Sequence, residues 1–135
     1  MRLLIADGQA VVRHSLRQVL LESGEVDVVD ELEEGRQVVR HLRETECDAL
    51  VLDKALAGRT GTELLAEIEM VRPGLPVLLL CHNAEAYNTT RFRAAGALGN
   101  LTKAQAPRHL VPAIRALLAG GTYFETPDGY IHQPA

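Results

Sequence analysis

The chain has 135 residues, enough for one compact domain with a real core and too few for two ordinary ones. Apolar residues make up 47% and charged residues 24%, a globular balance that excludes a disordered or fibrous chain. The net charge of −4, with arginines scattered along helical stretches, excludes a non-specific binder of nucleic-acid phosphates, so no direct nucleic-acid contact by this chain is expected. In chain order, short apolar runs alternate with longer amphipathic stretches, the pattern of a parallel sheet wrapped by helices. Strands are expected at Leu3–Ala6, Val26–Val29, Ala49–Leu52, Val77–Leu80 and Leu98–Leu101. Several are continuous apolar runs, as strands buried on both faces require. Between them, Val12, Leu16, Val19 and Leu20 share one helical face, as do Leu64, Ile68 and Val71, then Leu110, Ile114, Leu117 and Leu118. Ala84–Ala95 carries the weakest helical signal, with an alanine-rich face bearing Tyr87 and Phe92. Gly24, Gly96 and Gly120 follow helical segments, where a residue tolerant of positive φ ends a helix. Residues 1–121 are read as one domain, and 122–135, with prolines and glycines, as a tail or the start of a linker.

An open parallel sheet places its chemistry in the loops beyond the carboxyl ends of its strands. Those loops begin at Asp7, Asp30, Asp53, Cys81 and Thr102. Asp7 and Asp53 each follow an apolar strand directly, and Lys103 follows another. Two carboxylates and an ammonium converging on a crevice suit a hard divalent cation and a phosphoryl group. Aspartate accepts a phosphoryl group when such charges surround it. Each aspartate is also compatible with a plain loop cap bonding its own backbone, and Lys103 with a solvated surface lysine. Cys47 and Cys81 are far apart without metal spacing and are read as free thiols. Cys81 and His82, adjacent on an extended segment, point to opposite faces and do not make a nucleophile and base. His14, His41, His109 and His132 share no ligand spacing.

Five segments in order, "RLLIADGQAVVRHSLRQVL", "ALVLDKALAGRTGTELL" around Asp53, "RPGLPVLLLC", "AAGALGNLTK" ending at Lys103 and "AIRALLAGGTYF", resemble the receiver domains of bacterial response regulators. Within them the chain resembles the NarL/LuxR-type branch, whose transcription factors end in a helix-turn-helix. The resemblance covers Met1 to Phe124 and implies an α/β, flavodoxin-like receiver fold: a doubly wound five-stranded parallel sheet in the order 2-1-3-4-5. It implies a phosphoacceptor at Asp53, phosphoryl contacts from Lys103 and from the position of Cys81, and Mg²⁺ held by Asp7, Asp53 and the Ala55 carbonyl. Implied partners are a sensor histidine kinase or small acyl phosphate as donor, and an output domain or partner protein, with a second copy of the chain as a further candidate. The switch face would carry Tyr87 and Asn100. Such domains are signalling modules rather than enzymes, acting at most in their own Mg²⁺-dependent phosphorylation and dephosphorylation.

Several positions depart from the family pattern. Gly8 stands where a second acid usually ligates the metal, so Mg²⁺ binding is expected to be weakened. Cys81 replaces a Ser or Thr, and a thiol donates poorly. His82 replaces a small residue, Asn100 an aromatic one, Leu56 and Ala57 a Met-Pro pair, and no proline follows Lys103. The pocket is therefore read as degenerate. Two functions follow as expectations: a receiver in two-component phosphorelay signalling that accepts a phosphoryl group on Asp53, and a phosphorylation-independent pseudo-receiver acting as an interaction or dimerisation module. A flavodoxin-like nucleotide binder would need a glycine-rich phosphate loop that Asp7, Gly8 and Gln9 do not supply. With no membrane-length apolar run and no signal-peptide pattern, a cytoplasmic protein making no membrane contact is expected.

Overall fold

The computed structural model describes residues 1–57, 62–83, 89–126 and 131–132. Strands β1 (Arg2–Ala6), β2 (Val28–Leu32), β3 (Ala49–Asp53), β4 (Val77–Cys81) and β5 (Gly99–Thr102) run parallel in the order β2-β1-β3-β4-β5. Helices α1 (Ala10–Glu22), α2 (Val38–Glu44), α3 (Glu63–Val71), α4 (Thr89–Ala94) and α5 (Ala106–Leu118) cover the two faces. The alternation of side chains along each strand builds two cores at once. Leu3, Ile5, Ala49, Val51, Leu78, Leu80 and Leu101 pack against Leu16 and Leu20 of α1 and Leu110, Ile114 and Leu117 of α5. Leu4, Leu50, Leu52, Val77 and Leu79 pack against Leu42 of α2, Leu65 and Ile68 of α3 and Phe92 of α4. Each fully buried leucine stabilises the fold by about 2 kcal/mol relative to an exposed one.

Three expectations change. The first concerns strand number, because the sheet continues past β5. Strand β6 (Tyr123–Glu125) pairs parallel with β5, and β7 (Ile131–His132) pairs antiparallel with β6. The free edge of β5 offers unpaired backbone groups, and Tyr123 and Phe124 supply apolar side chains that become 5% and 2% exposed there. Three residues flanked by glycine and proline were too short to show periodicity. Secondly, β2 lies at Val28–Leu32 rather than Val26–Val29. It is the outer strand beside β1, so it tolerates Asp30 and Glu31, which pair with Arg2 and Arg13, while Val26 turns into the core below it. Thirdly, Leu118 is 38% exposed whereas Ala116 is buried in the α5 core, its carbonyl accepting from the Gly121 N–H. Helix α4 is described over Thr89–Ala94. Residues 84–88 of the expected Ala84–Ala95 helix, Tyr87 among them, lie outside the described residues. Phe92, the aromatic of the described part, is buried. Gly24 (φ 78°) and Gly120 (φ 88°) do end their helices in the left-handed region. Among the described residues no helix is long and apolar enough to cross a membrane.

Gly99 sits where β5 is pressed between neighbours: an added Cβ would lie 2.5 Å from the Tyr123 carbonyl oxygen and 2.8 Å from Leu78 Cδ1. Gly99→Ala is expected to cost about 1–3 kcal/mol, as overpacking does. Urea denaturation followed by circular dichroism would show a lower midpoint.

Candidate functional site

Asp7 leaves β1 and Asp53 ends β3, one residue beyond the paired Ala6 and Leu52, so two adjacent strands deliver both carboxylates to one edge of the sheet. Lys103 follows β5, its N–H donating to the Cys81 carbonyl at 2.8 Å. Its ammonium reaches back across the sheet end. Lys103 Nζ lies 3.0 Å from Asp7 Oδ2 and 3.0 Å from Asp53 Oδ2. Gln9 Oε1 accepts a hydrogen bond from the same nitrogen at 2.8 Å.

Each aspartate caps its own loop and also faces the Lys103 ammonium. Asp7 Oδ1 accepts from the Gln9 N–H at 2.8 Å, and Asp53 Oδ1 from the Ala55 N–H at 3.0 Å. These bonds orient each carboxylate toward Lys103, whose Nζ also donates to Asp7 Oδ1 at 3.3 Å. Asp7 is 0% exposed and Asp53 6%. Burial works to lower the Lys103 pKa, but hydrogen bonds and charge from Asp53 and Asp7 outweigh it and hold the ammonium above its ordinary value. Arg13 steadies the loop, donating to the Asp7 carbonyl at 2.5 Å while facing Glu31.

Gln9, Asp53, Lys54, Ala55, His82 and Lys103 line a cleft of about 410 Å³. Cys81 is not in that wall. It is 1% exposed, and burial, the dominant cause, pushes its pKa up to about 12. Asn100 is fully buried beneath β6: its Nδ2 donates to the Glu125 carbonyl at 3.3 Å and its Oδ1 accepts from the Glu125 N–H at 2.9 Å. The Glu125 carboxylate, 4% exposed, accepts from both the N–H and hydroxyl of Thr102 at 3.2 Å. The structure thus brings Asp7, Asp53, Ala55 and Lys103 together, and places Cys81 and Asn100 behind them with Glu125.

Gln9, Lys54 and Glu125 belong to this region and sequence reading did not single them out. Gln9 was legible only as the residue two past Asp7, and Glu125 as a lone acid after Tyr123 and Phe124. A hard cation fits here in reduced form. Asp7 Oδ2 is a buried carboxylate oxygen held near Lys103 by charge, without a well-directed hydrogen bond, and so keeps a lone pair for a ligand. Among the described residues no cluster of three or more His, Cys, Asp or Glu could hold a metal ion, so water would have to complete the shell around Asp7, Asp53 and the Ala55 carbonyl.

A parallel sheet with two acids and a lysine at its carboxyl edge is the architecture of a phosphoryl-signalling module, and comparison with known proteins agrees. The family described as "Response regulator receiver domain" matches residues 3–115. The chain belongs to that family, in its NarL/LuxR-type branch. It is 28% identical over 121 residues to Fimbriae Z protein of Salmonella typhimurium, covering 90% of this chain and 58% of that protein. The chain therefore spans little more than half the length of that relative. It is 31% identical to a LuxR-family two-component response regulator from Aurantimonas sp. SI85-9A1, with a TM-score of 0.81, covering 94% of this chain and 90% of the other. The isolated receiver domain of RcsB from Salmonella enterica serovar Typhimurium superposes with a TM-score of 0.82 at 25% identity, covering 92% of each chain. The protein is a receiver domain of a two-component system. Such domains are generally non-enzymatic signalling modules that bind Mg²⁺ at the phosphorylation site, and response regulators partner with sensor kinases and output domains.

Burial raises both thiols, Cys81 to about 12 and Cys47 to about 11. At pH 8 iodoacetamide is expected to label both slowly in the folded protein and rapidly in urea, read by mass. A raised acid pKa favours the folded state only while the thiol stays neutral. Stability is therefore expected to fall as pH rises above 9.0, where the unfolded thiols ionise first, and this loss to level off near the raised folded values.

Proposed function

We propose that Asp53 is the phosphoacceptor and that Asp7, Asp53 and the Ala55 carbonyl hold a weakly bound Mg²⁺ during transfer. The observation that carries this reading is Lys103 Nζ at 3.0 Å from both Asp7 and Asp53, beside a cleft that opens onto the acceptor. Asp53 Oδ2 attacks phosphorus, the bond from phosphorus to the donor's leaving atom breaks, and its electron pair leaves with the donor. Lys103 is placed to follow the phosphoryl oxygens, exchanging a carboxylate partner for a phosphoryl one. Mg²⁺ supplies charge neutralisation when bound. The donor is a sensor histidine kinase or a small acyl phosphate, and the readout is an output domain or partner protein. The chain itself makes no direct nucleic-acid contact.

A second reading, a pseudo-receiver that works by protein interaction without phosphorylation, is favoured by Gly8 and by the burial of Cys81 away from the cleft. Intact-mass analysis after incubation with Mg²⁺ and acetyl phosphate separates the two. The expected result is one phosphoryl adduct in the parent and none in Asp53→Asn, with both variants folded by circular dichroism. No adduct in the parent would leave the interaction module as the function.

Gly8 is exposed, and an added Cβ would meet nothing closer than the Glu33 carbonyl oxygen at 3.8 Å. Gly8→Asp therefore fits the backbone and adds a carboxylate beside Asp7 and Asp53. Mg²⁺ affinity, measured by calorimetry or by Mn²⁺ competition, is expected to tighten several-fold.

A further inference from the structure

We propose that Glu125 is a positioning residue for the chemistry at Asp53: strand β6 brings its carboxylate to Thr102, the residue before Lys103, and that hold sets where the Lys103 ammonium lies. The proposal rests on the reading of Asp53 as the acceptor and deepens it. The ladder between β5 and β6 pairs Gly99 with Tyr123 and Asn100 with Phe124. Two residues further along β5, the Thr102 N–H donates to the Glu125 carboxylate at 3.2 Å, in place of a β6 carbonyl. The Thr102 hydroxyl donates to the same oxygen, Oε1, at 3.2 Å and accepts from the Gln105 N–H at 3.3 Å. Thr102 is 8% exposed and Glu125 4%, so water competes little for these bonds. Hydrogen bonds to a carboxylate are roughly twice as strong as those between neutral groups.

Lys103 therefore starts from a backbone fixed on both sides. Its own N–H donates to the Cys81 carbonyl of β4 at 2.8 Å, and the residue before it is tied to Glu125. The Thr102 carbonyl accepts from the Gln105 N–H at 3.1 Å, closing the turn that leads into α5. A lysine carries its charge on a flexible four-carbon stem, so the place of the ammonium depends on where that stem begins. Here it must meet two carboxylates, from two different strands, at 3.0 Å each. The Glu125 carboxylate depends in turn on how β6 is seated. Asn100 exchanges two bonds with the Glu125 backbone, and the Tyr123 hydroxyl lies 3.0 Å from His109 Nδ1 on α5. The seating of β6, the Thr102 bonds and the Lys103 ammonium thus form one chain of contacts ending at Asp7 and Asp53. Glu125 acts through Lys103 and not on the reacting atoms themselves.

The test uses the whole chain and two readouts. Hydrogen exchange of the Lys103 ammonium is followed by ¹⁵N NMR near pH 6, and the rate of adduct formation with Mg²⁺ and acetyl phosphate by intact mass. Glu125→Ala removes the acceptor, whereas Glu125→Gln keeps an amide oxygen where Oε1 lies. The expected result in Glu125→Ala is faster ammonium exchange and adduct formation slowed about tenfold, within the roughly hundredfold that a misplacement of about 1 Å can cost. Glu125→Gln is expected to stay close to the parent on both. Ammonium exchange unchanged in Glu125→Ala, whatever the rate does, would overturn the proposal, because any loss would then not pass through Lys103. An unchanged rate in Glu125→Ala, with the parent forming its adduct, would overturn it as well. Faster ammonium exchange in Glu125→Ala with no adduct in any variant, the parent included, would uphold the positioning of Lys103 and overturn the acceptor reading instead. If Glu125→Ala loses the circular dichroism of the parent, Glu125→Asp, which draws the carboxylate back by one carbon, takes its place and is judged by the same two readouts.

Discussion

One ammonium group makes this sheet edge tenable. Asp7 and Asp53 are buried carboxylates at the ends of adjacent strands, and without Lys103 their charges would face each other in a poorly solvated crevice. Leaving buried charge unpaired is among the more damaging things a fold can do, at about 3–5 kcal/mol when one partner of a buried pair is removed. Lys103 reaches both at 3.0 Å, and Gln9 fixes the ammonium from a third direction. The geometry also leaves Asp7 Oδ2 without a directed hydrogen bond. Stability and responsiveness are thereby linked: the contact that keeps the acids buried is the one a phosphoryl group would rearrange.

The doubly layered core explains why the three groups meet. Residues 3 and 5 of β1, 49 and 51 of β3 and 101 of β5 all point toward α1 and α5. Asp7, Asp53 and Lys103 continue those odd-numbered series past the last apolar position. Cys81 continues the series of Val77 and Leu79, which points the other way, toward α3 and α4. The thiol thus sits with Asn100 and Glu125, behind the cleft rather than within it.

Much of this was legible in the chain. The continuous apolar runs located β1, β3 and β4 almost to the residue, because strands buried on both faces leave no room for polar interruption. The acids and the lysine were legible because each follows such a run. Edges were less so. At the outer strand β2 polar residues are permitted, so the apolar signal pointed to Val26 instead of Val28. Strand β6 is three residues long and owes its place to the open side of β5, a tertiary opportunity with no local signature. Gln9 was invisible for a related reason: its contact depends on what lies opposite it, the Lys103 ammonium.

The paired bonds between Asn100 and the backbone of Glu125 also have a consequence for chain alignment. Two strands held by a backbone ladder alone can shift past each other, because every peptide group offers the same donor and acceptor. A side-chain amide that both gives to and takes from one residue breaks that degeneracy. Sliding β6 by a single position would turn Tyr123 and Glu125 together to the other face of the sheet, separating the acid from Thr102 and the tyrosine hydroxyl from His109. Asn100 thus works as an address label, specifying which residue of the returning chain may dock beside β5.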